Sequence, residues 1–154
     1  MRITFRRAPA IFQYGCFMAE PGLKLEPSYR NTGRPEVIRK ILAVDDHHKI
    51  LYAIRRIFAT MPSEIVLIDP EQPIRNQVIN YASQGDIDLI IMDGEMPQTS
   101  GMELTQELRK IGFTGYILAN SSNQQMQEKM IDAGADFANP VKAHLSNLRN
   151  FFES

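Results

Sequence analysis

Ile90-Ile91-Met92-Asp93-Gly94-Glu95-Met96-Pro97-Gln98-Thr99-Ser100-Gly101-Met102 reads as an apolar strand ending on an acid, a Met-Pro turn, and a glycine leading into a helix. A passage of that kind belongs to an open α/β sheet, where ligands bind at the carboxyl ends of the strands. Asp93 stands at such an end. The plainer alternative is a connecting loop with a solvating Asp.

Upstream, Ile41-Leu42-Ala43-Val44 is a continuous apolar run suited to a strand buried on both faces, and it leads straight into Asp45-Asp46. Asp46 or His47 would serve as the N-cap of the helix that follows, but a cap needs one acid. If the two strands are neighbours in a parallel sheet, Asp45, Asp46 and Asp93 converge and repel one another. A hard cation relieves that repulsion. Oxygen ligands few enough to leave room for water and phosphate oxygens suit Mg2+ better than a dedicated calcium cage. His47 and His48 have no second His or Cys at metal-ligand spacing, which argues against zinc and for surface side chains.

Outward from these two segments the pattern alternates. Ile50, Ile54, Ile57 and Phe58 recur at helical spacing, with Lys49, Arg55 and Arg56 on the other side. Glu64 to Ile68 is β-rich, and Ile74, Val78, Ile79 and Ala82 form a second stripe ending near Gly85. Ile87 to Met92 is the third strand, followed by a helical face of Leu104, Leu108 and Ile111. Tyr116 to Ala119 is a fourth strand, and Met126, Met130, Ile131 and Ala133 mark a helix closed by Gly134. Phe137-Ala138 is a short last strand, and Leu145, Leu148, Phe151 and Phe152 suggest a final amphipathic helix. Strict alternation with short connections predicts a doubly wound, five-stranded parallel sheet with five helices on its two faces.

Val44-Asp45-Asp46, then Met92-Asp93-Gly94-Glu95-Met96-Pro97 with Gly101 four residues past the proline, resembles the receiver domain of two-component response regulators and hybrid sensor kinases. The resemblance covers residues 39–154, leaving 1–38 as a basic N-terminal extension or linker. It implies the flavodoxin-like (βα)5 receiver fold. It also implies that Asp93 accepts a phosphoryl group from a histidine, with Asp45, Asp46, Asp93 and the Glu95 main-chain carbonyl holding Mg2+. A Ser or Thr at the end of the fourth strand is implied as a donor to the phosphoryl group; Ser121 is the choice here, with Asn120 and Ser122 as alternatives. Those residues would also cap the next helix. Receivers usually carry Lys-Pro after the fifth strand, where this chain has Asn139-Pro140-Val141-Lys142. Either Lys142 reaches back into the site, or Asn139 holds the place without the charge. The reversed order favours loss, with Lys142 a solvated cation at a helix end. In the family an aromatic on the last strand switches rotamer; Phe137 holds that place, though a plain core Phe is the simpler account.

The chain has 154 residues, 44% hydrophobic and 23% charged, as one soluble globular domain would have. No apolar stretch has the length of a membrane span. Cys16 is the single cysteine and cannot form an internal disulfide, which fits a reducing cytoplasm. Residues 1–40 hold eight Lys or Arg against three Glu, a balance of +5, whereas the remainder has nine against fifteen acids, a balance of −6. A basic arm could touch nucleic acid or a membrane surface, but a linker or an arm folded on the domain is the preferred reading.

The expectation is therefore a cytoplasmic phosphoacceptor module rather than a metabolic enzyme. Its partners would be a sensor histidine kinase or histidine phosphotransfer protein and a downstream effector. No output domain follows Ser154, so output would run through a partner, the extension or onward relay. A receiver that binds partners without phosphorylation is the main alternative. A flavodoxin-like cofactor enzyme would need a phosphate-cradling loop after the first strand, and Asp45-Asp46-His47-His48 is a poor anion cradle.

Overall fold

Three apolar runs, Ile41–Val44, Leu89–Met92 and Tyr116–Ala119, are buried along their whole length. Strands without polar alternation need cover on both faces, and only the centre of a parallel sheet provides it. The elements of this computed structural model run β1 Lys40–Val44, α1 His48–Phe58, β2 Glu64–Leu67, α2 Ile74–Ser83 and β3 Leu89–Met92. They continue as α3 Gly101–Lys110, β4 Tyr116–Ala119, α4 Gln124–Asp132 and β5 Phe137–Ala138. The structure describes residues 38–139, Lys142 and Leu145, with the backbone of Thr4–Phe5 and Phe152–Glu153. The five strands are parallel in the order β2-β1-β3-β4-β5.

Right-handed crossovers then put α1 on one face and α2, α3 and α4 on the other, where α3 packs against both its neighbours. Each fully buried Leu or Ile of the sheet contributes roughly 1.5–3 kcal/mol by leaving water. Helix α1 buries Leu51, Ile54 and Phe58, and α2 buries Ile74, Val78 and Ala82. Helix α3 starts in a capping box, Ser100 Oγ accepting from Glu103 N–H and the Glu103 carboxylate accepting from Ser100 N–H. Ile111 departs from the expected stripe: it is the C-cap of α3, past the last packed turn, and lies exposed.

The amino end of the sheet is tied by polar clamps. Asp88 Oδ2 accepts from the main-chain N–H groups of Arg39 and Lys40 at 2.7 and 3.0 Å. The Arg109 guanidinium donates to the carbonyls of Phe113, Gly115 and Gly134 and to Asp136 Oδ2, which also accepts from Ile117 N–H. One arginine thereby joins the end of α3 to the starts of β4 and β5. Ile38, on the extension side of the sequence boundary, is already buried in the core.

Phe152 departs from its expected helix. Phe152–Glu153 is extended and pairs antiparallel with Thr4–Phe5, in the register Thr4 to Glu153 and Phe5 to Phe152, so the last helix does not run through Phe152. Pairing of the two terminal segments satisfies backbone groups that a helix would otherwise satisfy internally. Of the other residues expected in that helix, Leu145 packs half-buried against the core, while Leu148 and Phe151 lie outside the described residues, as does Cys16. No helix of the described residues is long and apolar enough to cross a membrane.

Candidate functional site

In the strand order 2-1-3-4-5 the chain reverses direction between β1 and β3, which is where a ligand crevice opens at the carboxyl ends. Both acidic segments fall there. Val44 pairs with Met92, and Asp93 N–H donates to Val44 C=O at 2.8 Å, so Asp45 and Asp93 leave adjacent strands side by side. Asp45 is 1% and Asp93 3% exposed, whereas Asp46 sits at the rim.

The lysine stands opposite the expected loss. Lys142 Nζ donates to Asp93 Oδ1 at 2.7 Å and forms an ion pair with Asp45 Oδ2 at 3.0 Å. The stem is long enough to bring Nζ back to the strand ends, and two buried carboxylates give the ammonium a partner that solvent would not. Lys142 is thus not a solvated cation. Nor does Asn139 replace it: the Asn139 side chain turns into the core, fully buried, and its Nδ2 donates to Asn120 Oδ1 at 2.9 Å.

Electrostatics follow from this crowding. Burial pushes the Asp93 carboxyl up to about 6; Lys142 pulls against the shift, while Asp45 and Asp46 add to it. Burial acts to lower the Lys142 pKa, but Asp93 and Asp45 outweigh it and hold the ammonium above its ordinary value. Even with the lysine in place, Asp45 Oδ2, Asp46 Oδ1 and Asp93 Oδ2 are buried atoms with no aligned hydrogen-bond donor among the described residues. Buried carboxylate oxygens without donors are costly. Several of them facing one crevice fit a hard divalent cation, and the donor chemistry agrees with the Mg2+ expectation.

The remaining residues frame the crevice. Asn120 continues β4 beside Asp93, its N–H donating to Met92 C=O at 2.8 Å, so the strand-end position carries an amide, not a hydroxyl. Ser121 comes next, is buried, and accepts from Asn123 N–H at 3.1 Å. It lies against Gly94, where an added Cβ would stand 2.7 Å from Ser121 Oγ and 2.5 Å from Met126 Cγ. Ser122 is exposed. The Glu95 side chain accepts from Asn123 Nδ2 at 2.8 Å, linking the loop after β3 to the start of α4. Gly101 packs so closely that a Cβ would collide with the Asp93 carbonyl oxygen. Phe137 is buried against Tyr116, ring centroids 6.0 Å apart.

Gln127 does not stand out in the sequence. Its Nε2 donates to the carbonyls of Ser121 and Asn139 at 2.6 and 2.7 Å, stapling α4 to the loops after β4 and β5. The available signal is a polar residue between Met126 and Met130 on the core side of α4. His47 has the exposed ring expected of a surface side chain, but its Nδ1 lies 2.9 Å from Asp46 Oδ1 and 3.2 Å from Asp45 Oδ1.

The family model of the response regulator receiver domain matches residues 41–138. Among curated proteins, the nitrate/nitrite response regulator protein NarP of Escherichia coli (strain K12) is 28% identical over 99 residues, 63% of this chain and 45% of NarP. The autoinducer 2 sensor kinase/phosphatase LuxQ of Vibrio vulnificus is 23% identical over 108 residues, 67% of this chain and 12% of LuxQ. The chain therefore spans less than half the length of either relative. Among solved structures, the receiver domain of the histidine kinase CKI1 from Arabidopsis thaliana, complexed with Mg2+ and BeF3-, is 26% identical. It has a TM-score of 0.57, with 73% of this chain and 86% of that one covered. Response regulator protein TrrA from Thermotoga maritima, in complex with Mg2+ and beryllium fluoride, shares the fold at 24% identity and a TM-score of 0.62, with 73% and 94% covered. With that family's sequence model laid across both acidic strand ends and the same α/β fold beneath it, this chain belongs to the response regulator receiver domain family.

Proposed function

We propose that the domain is the phosphoacceptor of a His-to-Asp phosphorelay, with Asp93 as the residue modified. The observation that carries this reading is the pairing of Asp93 Oδ1 with Lys142 while Oδ2 stays buried and without a donor. One oxygen is held and the other is available. At pH 7 and above the carboxyl is ionised despite its raised pKa. Asp93 Oδ2 attacks phosphorus, the new O–P bond forms as the N–P bond of a phosphohistidine breaks, and the departing imidazole keeps the electron pair and takes a proton from water. Lys142 turns from the carboxylate to the new phosphoryl oxygens, since phosphoryl transfer depends on positioning and charge.

Asp45, Asp46, Asp93 and the Glu95 main-chain carbonyl would hold Mg2+, which when bound supplies positive charge against the phosphoryl oxygens. Ser121 is the hydroxyl donor in this reading. The added charge biases a two-state surface read by an effector. Partners would be a sensor histidine kinase or phosphotransfer protein on the donor side, and a cytoplasmic setting is part of the proposal.

Intact-mass measurement after incubation with Mg2+ and acetyl phosphate, or with a phosphorylated phosphotransfer protein, tests it. The native chain gains one phosphoryl group and Asp93→Asn gains none. A native chain that stays unmodified with every donor supports the second reading, an interaction module that works without phosphate. What favours that second reading is Asn120, an amide locked to Asn139 at the strand-end position.

A further inference from the structure

We propose that the imidazole of His47 supplies a nitrogen donor to the cation pocket, so that the pocket takes a first-row transition cation, with Mn2+ as the probe, in preference to Mg2+. The proposal rests on the reading of Asp45, Asp46 and Asp93 as a cation site. His47 Nδ1 lies 2.9 Å from Asp46 Oδ1 and 3.2 Å from Asp45 Oδ1. Adjacent ligands of an octahedral ion with bonds near 2.1 Å are separated by about 3.0 Å, so the nitrogen stands from each oxygen as one corner stands from its neighbour. One ligand atom from each residue lies within 4.8 Å of the others.

His47 Nδ1 is hydrogen-bonded to Asp45 Oδ1, while Asp46 Oδ1 is buried without an aligned donor, so toward Asp46 nitrogen and oxygen sit side by side; a bound cation takes the place of the ring proton. Independently, Asp93 Oδ2, on a residue 3% exposed beside Asp45, has no hydrogen-bond donor among the described residues, and Asp45 Oδ2 faces the Lys142 ammonium at 3.0 Å without an aligned hydrogen bond.

The local chain holds the ring there. His47 N–H donates to Asp45 Oδ1 at 2.9 Å, and although His47 is the N-cap of α1 its side chain makes no capping hydrogen bond. His48 is engaged elsewhere, with Nε2 3.4 Å from Glu71 and its ring stacked on Tyr52. Mn2+ also favours oxygen ligands but, as a transition ion, accepts an imidazole nitrogen more readily than Mg2+ does, so one nitrogen in the set raises the preference for Mn2+ beyond what carboxylates alone would give.

Electron paramagnetic resonance of Mn2+ titrated into the full chain gives the affinity, competition by Mg2+ gives the ratio, and spin-echo modulation reads nitrogen bound to the ion. Nitrogen modulation is expected in the native chain and in His48→Asn. His47→Asn keeps a favoured N-cap residue and so the fold. It should lose the modulation and lower the Mn2+ to Mg2+ affinity ratio about tenfold, with Mg2+ affinity within about twofold. Absence of nitrogen modulation in the native chain, its survival in His47→Asn, or an unchanged ratio overturns the assignment while leaving the acidic pocket intact. Binding of neither ion removes the pocket itself, and both this assignment and the phosphoacceptor reading fall together.

Discussion

The two ends of the sheet use the same residue types to opposite effect. At the amino end Asp88 and Asp136 each find donors: two main-chain N–H groups for one, Arg109 and Ile117 N–H for the other. At the carboxyl end Asp45, Asp46 and Asp93 crowd together with Lys142, and each keeps a buried oxygen without an aligned donor. A satisfied acid holds the fold. An under-satisfied one stores a tendency to bind a cation or a phosphoryl group, at the expense of stability.

Three substitutions would break or sharpen this contrast. Arg109→Ala should have the largest effect: it removes the guanidinium charge from the buried Asp136 carboxylate and strips a donor from each of three carbonyls, a loss of about 3–5 kcal/mol. Urea unfolding should show that loss while Asp93 remains modifiable, and a small change in stability would erase the distinction between the ends. Lys142→Gln comes next. Removing the charge beside Asp93 should slow phosphorylation about 100-fold, the scale of losing one preorganised donor at a reacting centre. Stability should fall as well, because Asp93 and Asp45 lose their cation, and an unaltered rate in a phosphorylation time course would count against an electrostatic role for the lysine.

The smallest effect is a gain. The Asp93 carboxyl keeps its proton up to about pH 6 in the folded protein, against an ordinary pKa of 3.8, so the folded state binds more protons between those limits. Stability is therefore full below the lower value and falls as pH rises through the upper one. Asp93→Asn removes that loss and should exceed the native protein by about 2 kcal/mol at pH 8 without metal. The advantage should vanish below about pH 4. Equal unfolding curves at both pH values would mean that the native carboxyl carries no such cost.

Much of this is legible in order along the chain. Apolar runs ending in acids mark β1 and β3, and the β4 and β5 limits agree with their sequence segments, because a strand buried on both faces leaves no alternation to misread. The α2 stripe is legible for the same reason, its apolar residues recurring at the helical period. Less readable is what depends on where a side chain turns after a strand has ended. Lys142 and Asn139 are three residues apart, and nothing in Asn139-Pro140-Val141-Lys142 says which enters the crevice. Gln127 looks like one more polar helix residue until two loop carbonyls are brought above it. Phe152 carries helical spacing, but its pairing with Thr4–Phe5 spans about 150 residues of sequence, beyond any local pattern.

By itself the sequence determined the alternating strands and helices, the acids at two strand ends and hence the class of sheet, since hydrophobic periodicity and strand-end chemistry are local properties of the chain. The tertiary structure alone decided that Asp45, Asp46 and Asp93 share one crevice with the Lys142 ammonium and the His47 ring. Convergence of charges depends on strand order and on where the Lys142 side chain turns. Those are set by the burial of the whole core and not by any neighbouring residue.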